Sequence, residues 1–210
     1  MKEKRNKKRG SLIVFEGPEG SGKSTLIRRV CRVLKKKGYR VLQLREPGGV
    51  KISEAIRNIL LNKANTKMSA NAELLLYLAA RAQLVNEKME PALRKGIVVV
   101  CDRFEASTLA YQGYGREMSV SRIRQVSRWF VRGNLRPGLA FFLDVPVCVG
   151  LKRGGRHDRM ERLSLLFHER VRRGFLKLAA EKKYPAVVVD TVKPIVQSIA
   201  AVEREIHDRF

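Results

Sequence analysis

The sequence predicts a doubly wound α/β fold, a parallel sheet with helices on both faces. Three observations carry this expectation. Five short apolar segments of β type alternate with helical periodicity along the 210 residues. The first of them runs into a glycine-rich loop, Gly17-Pro18-Glu19-Gly20-Ser21-Gly22-Lys23-Ser24-Thr25, that opens a helix. No internal repeat or low-complexity linker divides the chain, so residues 11–210 read as one domain behind a basic tail at 1–10. Strands that are apolar throughout belong to sheets buried on both faces, and strand–helix alternation is how such parallel sheets are wound.

The first expected strand is Leu12–Phe15. The loop after it has the spacing G-x-x-x-x-G-K-S of a phosphate-binding loop. Its glycines let successive backbone N–H groups turn inward toward phosphate oxygens. The following helix, Thr25–Lys37 closed by Gly38, adds the positive end of its dipole. Lys23 has the reach for β- and γ-phosphates, and the Ser24 hydroxyl is a Mg²⁺ ligand. A nucleoside triphosphate is therefore expected at residues 17–25.

The second strand, Val41–Leu44, ends at Arg45-Glu46-Pro47-Gly48-Gly49, a turn that lets the backbone approach a ligand and leaves Arg45 at the ligand-facing end. A helix over Ile52–Leu61 and a long one over Asn71–Lys95, closed by Gly96, come next. The long helix carries Glu73, Tyr77 and Arg81 four residues apart, hence near one face. An aromatic ring one turn from an arginine suits a nucleobase, although a tyrosine on an amphipathic helix is more often core or rim.

The third strand, Ile97–Cys101, ends in Asp102-Arg103-Phe104. In this fold class a carboxylate there organises Mg²⁺ or its waters, and the adjacent guanidinium suits a phosphate. Alone, the Asp-Arg pair is a weak signal. A helix over Ser119–Val131 and a strand over Leu139–Leu143 follow. Arg153-Gly154-Gly155-Arg156-His157-Asp158-Arg159 then has the composition of a short lid that closes over phosphates. The chain ends with a helix over Leu163–Lys182, a strand over Ala186–Val189 and a helix over Pro194–Arg209. His168 and His207 fit helix surfaces. Ligands are expected at the carboxyl ends of the strands.

Composition bounds the function classes. No apolar run approaches the roughly 18 residues that span a bilayer, and residues 1–10 lack the apolar core of a secretory signal. Cys31, Cys101 and Cys148 have no metal-like spacing and read as reduced, buried thiols of a cytoplasmic protein. Forty-four Lys and Arg against 20 Asp and Glu leave a formal net charge of +24. An anionic substrate accounts for a few of these charges. A general basic bias and weak polyanion binding both stay open for the rest.

Several stretches together resemble the thymidylate kinases of bacterial type. They are Phe15 through Thr25, Arg45 through Gly49, Leu78-Ala79-Ala80-Arg81, and Asp102 through Arg116 (DRFEASTLAYQGYGR). The resemblance runs from about Ser11 to the C-terminus. It implies a nucleoside monophosphate kinase-like P-loop fold with five parallel strands, ATP and dTMP as substrates, Mg²⁺ as cofactor and a homodimer. Arg45 and Arg103 would grip the dTMP phosphate, with Asp102 near the metal. Tyr77 would stack on thymine, Arg81 would hydrogen-bond its edge and Gln112 would lie near it. Tyr111 would crowd the sugar 2′ position, and Glu19 would reach the 3′-hydroxyl. Ser107 and Thr108 are expected beside them. Eukaryotic members place an arginine where this chain has Gly20, so catalytic charge is expected from Lys23, Arg103 and the lid arginines Arg153, Arg156 and Arg159. Val50, Gly138, Leu163 and Leu166 depart from the family pattern. Another nucleoside-monophosphate kinase, or a P-loop polyanion binder without kinase activity, are the alternatives.

Overall fold

The computed structural model describes residues 10–154, 158–181 and 183–210. Five parallel strands, β1 (Leu12–Glu16), β2 (Val41–Arg45), β3 (Val98–Asp102), β4 (Leu139–Asp144) and β5 (Ala186–Asp190), form one sheet in the order β2-β3-β1-β4-β5. Each strand ends within a residue of its expected limit. The extra residue is in every case the polar one at the carboxyl end, Glu16, Arg45, Asp102, Asp144 or Asp190.

Alternate residues of the central strands serve opposite faces. Val14, Val99, Cys101, Ala140 and Phe142 join a core with residues of the helices on one side. Ile13, Phe15, Val100, Phe141 and Leu143 join a second core on the other. That second face is covered by α1 (Lys23–Lys36), through Leu26, Ile27, Val30 and Leu34, and by α9 (Ile195–Arg209), through Val202 and Ile206. Both faces of the central strands are thus dry. The edge strands β2 and β5 are not: each is buried fully at one residue only.

The remaining helices are α2 (Lys51–Leu61), α3 (Ala70–Leu84), α4 (Glu90–Arg94), α5 (Glu105–Thr108), α6 (Val120–Ser127), α7 (Val147–Gly154) and α8 (Leu165–Ala180). The long helix expected over 71–95 is α3 and α4 joined by a π turn at Val85–Met89. Pro91 explains the turn, because its ring cannot accept a regular α-helical turn before it and it has no N–H to donate. A second π turn, Leu109–Gly115, continues α5, and a third, Arg128–Arg132, continues α6. The helix at 105–115 and α7 were not expected from periodicity. Both are short, and an apolar or glycine-rich stretch hides the 3.6-residue pattern.

Two side chains differ from expectation. His168 is 1% exposed, buried behind the phosphate loop and not on a helix surface. Cys148 is exposed, because it sits on α7 away from the sheet, whereas Cys31 and Cys101 are buried; all three are free thiols.

Candidate active site

Strand register builds the site. Phe15 and Arg45 both pair with Asp102, so the carboxyl ends of β1, β2 and β3 lie in one transverse row. The residues just beyond that row, Glu16, Glu46 and Arg103, are brought together although they lie 30 to 87 residues apart in sequence. Glu46 and Arg103 border a pocket of about 270 Å³, and Glu16 is buried beside it.

On one side lies the phosphate loop. Lys23 Nζ donates to the carbonyls of Gly17 (3.1 Å) and Pro18 (2.7 Å) and to Ser21 Oγ (3.2 Å). Burial and the Arg103 guanidinium lower the ammonium to about 8. Ser24 and Thr25 are exposed at the start of α1.

Arg103 crosses from β3 to this loop. Its Nη1 donates to the Gly17 carbonyl (2.9 Å) and its Nη2 to Glu19 (3.1 Å). Its backbone is left-handed, φ 69°, which a non-glycine residue adopts at a cost. Glu16 holds this conformation in place. One carboxylate oxygen accepts from the Phe104 N–H (3.0 Å) and the other from Ser107 Oγ (2.6 Å). Burial raises the Glu16 carboxyl to about 7 against the Ser107 bond and Arg103. For Glu19, burial pushes the carboxyl up, but Arg103, Lys23 and the Tyr111 hydroxyl together bring it below its ordinary value. Tyr111 donates to Glu19 at 2.6 Å and lies under the Arg103 guanidinium, 5.2 Å from ring centroid to Cζ.

On the opposite wall, Arg81 is 2% exposed. It pairs with Glu46 (2.5 Å), donates to the Phe104 carbonyl (2.8 Å) and keeps Nη1 buried without a partner. Tyr77 lies one turn earlier on α3 and lines the same pocket. Thr108 Oγ1 is buried and unpartnered there too. Gln112 is fixed from behind by donating to Glu73 (2.9 Å). The π turn lets the sequence neighbours Tyr111 and Gln112 both face the pocket. Arg45 lines the mouth and is paired with Glu54 (3.0 Å). Such a pocket offers cations at one end and a ring with unspent polar atoms at the other. That is the requirement of a nucleotide.

The thymidylate kinase family model matches residues 15–205. The chain belongs to the thymidylate kinase family. A thymidylate kinase of Geobacter sulfurreducens is 48% identical over 190 residues, covering 86% of this chain and 89% of that protein. One of Bacillus pumilus is 43% identical over 204 residues, covering 95% and 96%. The crystal structure of thymidylate kinase from Ehrlichia chaffeensis superposes with a TM-score of 0.74 at 30% identity, covering 95% of this chain and 97% of that one. Thymidylate kinases are phosphotransferases, and the P-loop fold of this chain is theirs.

Within this kinase the lid arginines divide. A β-carbon on Gly20 would lie 2.1 Å from the Gly150 carbonyl, and its φ is +64°, so no side chain fits there. The contact packs α7 directly on the phosphate loop and brings Arg153, in its last turn, beside Gly20. The Arg153 guanidinium donates to the Thr191 carbonyl (3.1 Å). Arg156 lies outside the described residues. Arg159 departs from expectation: it is 6% exposed and spent on Glu73 (2.7 Å) and the Leu60 carbonyl (2.9 Å). It does not line the pocket, and it ties the lid segment to α2 and α3. Its neighbours Asp158, Met160 and Glu161 line the pocket instead.

Sequence reasoning missed those three, together with Glu16, Glu46 and Arg57. For Glu16 a signal existed, since a carboxylate ending an apolar strand is the same mark that singled out Asp102. Arg57 has no motif; it lines the pocket because α2 directs it at the Pro47 carbonyl (2.8 Å).

Proposed function

We propose that residues 11–210 act as one domain that transfers the γ-phosphoryl group of ATP to the phosphate of dTMP, giving dTDP. The observation that supports this most is the sharing of Glu19, Arg103 and Tyr111 between the phosphate loop and the acceptor pocket. Donor and acceptor are thereby held from one rigid cluster, and an in-line transfer with no covalent intermediate needs little beyond position and charge.

Residues 17–25 take the ATP phosphates, with Lys23 exchanging its loop carbonyls for phosphate oxygens. Arg45 and Arg103 take the dTMP phosphate. Tyr77 stacks on thymine, and Arg81 Nη1, Thr108 and Gln112 meet its polar edge, with Ser107 closing the site. Tyr111 and Glu19 meet the sugar. Arg153, Arg156 and the lid around them supply further charge as the segment closes. Asp102 Oδ1, buried and without a partner, and the exposed Ser24 hydroxyl fit a hard cation that keeps waters and phosphate oxygens as its other ligands. Mg²⁺ bound there would neutralise charge on the transferring group.

The reading extends to a cytoplasmic homodimer. Free cysteines support the first. Among the described residues no helix is long and apolar enough to cross a membrane. Ile59, Leu75 and Phe130, left 47–74% exposed on the adjoining α2, α3 and 128–132 turn, support the second. Leu75→Glu is expected to shift the sedimenting species toward monomer.

The deciding experiment offers Mg-ATP with dTMP, dUMP, UMP, dGMP, dCMP or thymidine and quantifies the products. Preferential formation of dTDP supports the reading. Preference for another acceptor keeps the kinase and removes the thymine pocket. No transfer by folded, ATP-binding protein removes both.

A further inference from the structure

The phosphate pocket absorbs a handful of the 44 basic residues. The run from Arg122 to Arg136 is untouched by it. This run folds as α6, the 128–132 turn and the segment leading into β4, and with Lys183 and Tyr184, which lead into β5, it forms a groove of about 780 Å³. Among the described residues five cationic side chains and one carboxylate, Glu105, line it. Arg124 and Lys183 are both engaged by Glu181, at 2.5 Å and 3.2 Å. Arg122, Arg128 and Arg136 are exposed, and no hydrogen bond or ion pair engages their guanidinium groups among the described residues. Like charges are not gathered in a groove for stability, because their mutual repulsion opposes folding.

Aromatic surface accompanies the charge. Trp129, the single tryptophan of the chain, lines the groove with 66% of its surface exposed. Tyr184, half-buried, also lines it. A cationic groove with open aromatic faces is how single-stranded nucleic acid is held without sequence preference: phosphates track the cations and unpaired bases stack on the rings. A duplex has its bases already stacked and leaves the rings unused. A compact nucleotide is served better by backbone amides and a buried lysine, as in the phosphate loop, than by exposed arginines spread along a groove.

We propose that this groove is a second, non-catalytic binding site that takes the backbone and bases of single-stranded nucleic acid. Occupancy is independent of dTMP phosphorylation, since no groove residue lines the catalytic pocket.

Trp129 reports on the site directly. The full chain is titrated with a single-stranded oligodeoxyadenylate of about 12 nucleotides while tryptophan emission is followed at about 50 mM salt and then at higher salt. Quenching that saturates is expected, with the logarithm of the binding constant falling against the logarithm of salt with a slope of about −2 if three phosphates are neutralised. The triple variant Arg122→Ala/Arg128→Ala/Arg136→Ala is expected to bind at least about tenfold more weakly at low salt and to keep wild-type dTDP formation. Its comparator, Arg28→Ala/Arg32→Ala/Lys36→Ala on the equally basic exposed face of α1, is expected to bind within about twofold of wild type. Absence of quenching overturns the proposal. So does an equal loss in the comparator, which would make the attraction a property of net charge. Equal quenching by inorganic triphosphate, by a duplex of the same length or by vesicles of anionic phospholipid would also overturn it, in favour of a compact-anion, duplex or membrane site.

Discussion

At the carboxyl ends of the strands, Lys23 and Arg81 are buried and Arg103 is half-buried, and all three are tied to carbonyls or carboxylates before any substrate arrives. In the groove beside α6, Arg122, Arg128 and Arg136 stand exposed, and among the described residues nothing holds their guanidinium groups. The first arrangement fixes direction. Its charges sit in low dielectric at set distances, which is what stabilising a transferring phosphoryl group demands. The second arrangement fixes only a sign. Its charges are solvated and rotamer-free, so they favour any extended polyanion and are screened within about 8–10 Å at physiological salt. Three basic side chains in each place thus serve reaction or attraction according to whether acidic partners accompany them. In the pocket those partners are Glu16, Glu19 and Glu46; among the described residues of the groove, Glu181 pairs with two cations and no carboxylate pairs with the other three.

The largest test of this contrast removes one held charge. Arg81→Met leaves Glu46 buried at 4% exposure without its cation. A loss of about 3–5 kcal/mol in urea unfolding is expected. Arg45→Ala breaks a pair whose side chains are 49% and 39% exposed, and it should cost less than about 1 kcal/mol. Equal losses would erase the distinction between held and solvated arginines within the pocket itself.

Lys23→Ala follows. Its ammonium is the loop's own cation, and kcat/KM for dTDP formation should fall by about 10²–10³-fold. Turnover near wild type would show that the loop's amides suffice without it.

Glu16→Gln sharpens the role of the acidic partners. The ordinary Glu16 value of 4.5 is raised to about 7 in the folded protein. Between those values the folded chain holds a proton that the unfolded chain releases. The stability from this group is therefore full below about 4.5 and is lost as pH rises through about 7. The variant cannot titrate there, so its melting temperature should fall less than that of wild type between pH 5 and 7, by several degrees. Parallel curves would place the Glu16 proton elsewhere.

The smallest effect on catalysis is expected from the groove. The triple arginine variant should match wild-type dTDP formation within about twofold as salt rises from about 50 to 200 mM, while oligonucleotide binding by wild type weakens steeply over the same range. A parallel loss of turnover in the variant would couple the two regions.

Much of the pocket was legible because its parts are local. The phosphate loop is nine consecutive residues with a glycine pattern, and the Asp102-Arg103 pair ends an apolar run. Tyr77 and Arg81 lie one helical turn apart. Side chains placed by long-range packing were not legible. Arg159 has the composition of a lid arginine, but the lid segment lays it on Glu73 and Leu60, about 90 residues away in sequence. His168 is in phase with the buried Val171 and Phe175 of α8, but a polar ring reads as surface until the fold buries it, and it approaches Glu19 at 3.9 Å. Glu16 reads as the end of a strand until Phe104 and Ser107 close on it.

The sequence alone determined the parallel α/β plan, the phosphate loop and the kind of chemistry. Apolar periodicity and glycine spacing are short-range properties that survive in one dimension. Tertiary structure alone decided which charges are held and which are free. That depends on which carboxylates the strand ends and the loop after β1 bring within 3.1 Å of an arginine, and the pairing follows sheet order β2-β3-β1-β4-β5, not chain order. An arginine in the sequence has a fixed charge, but its dielectric and its partner exist only after the strands have been laid side by side.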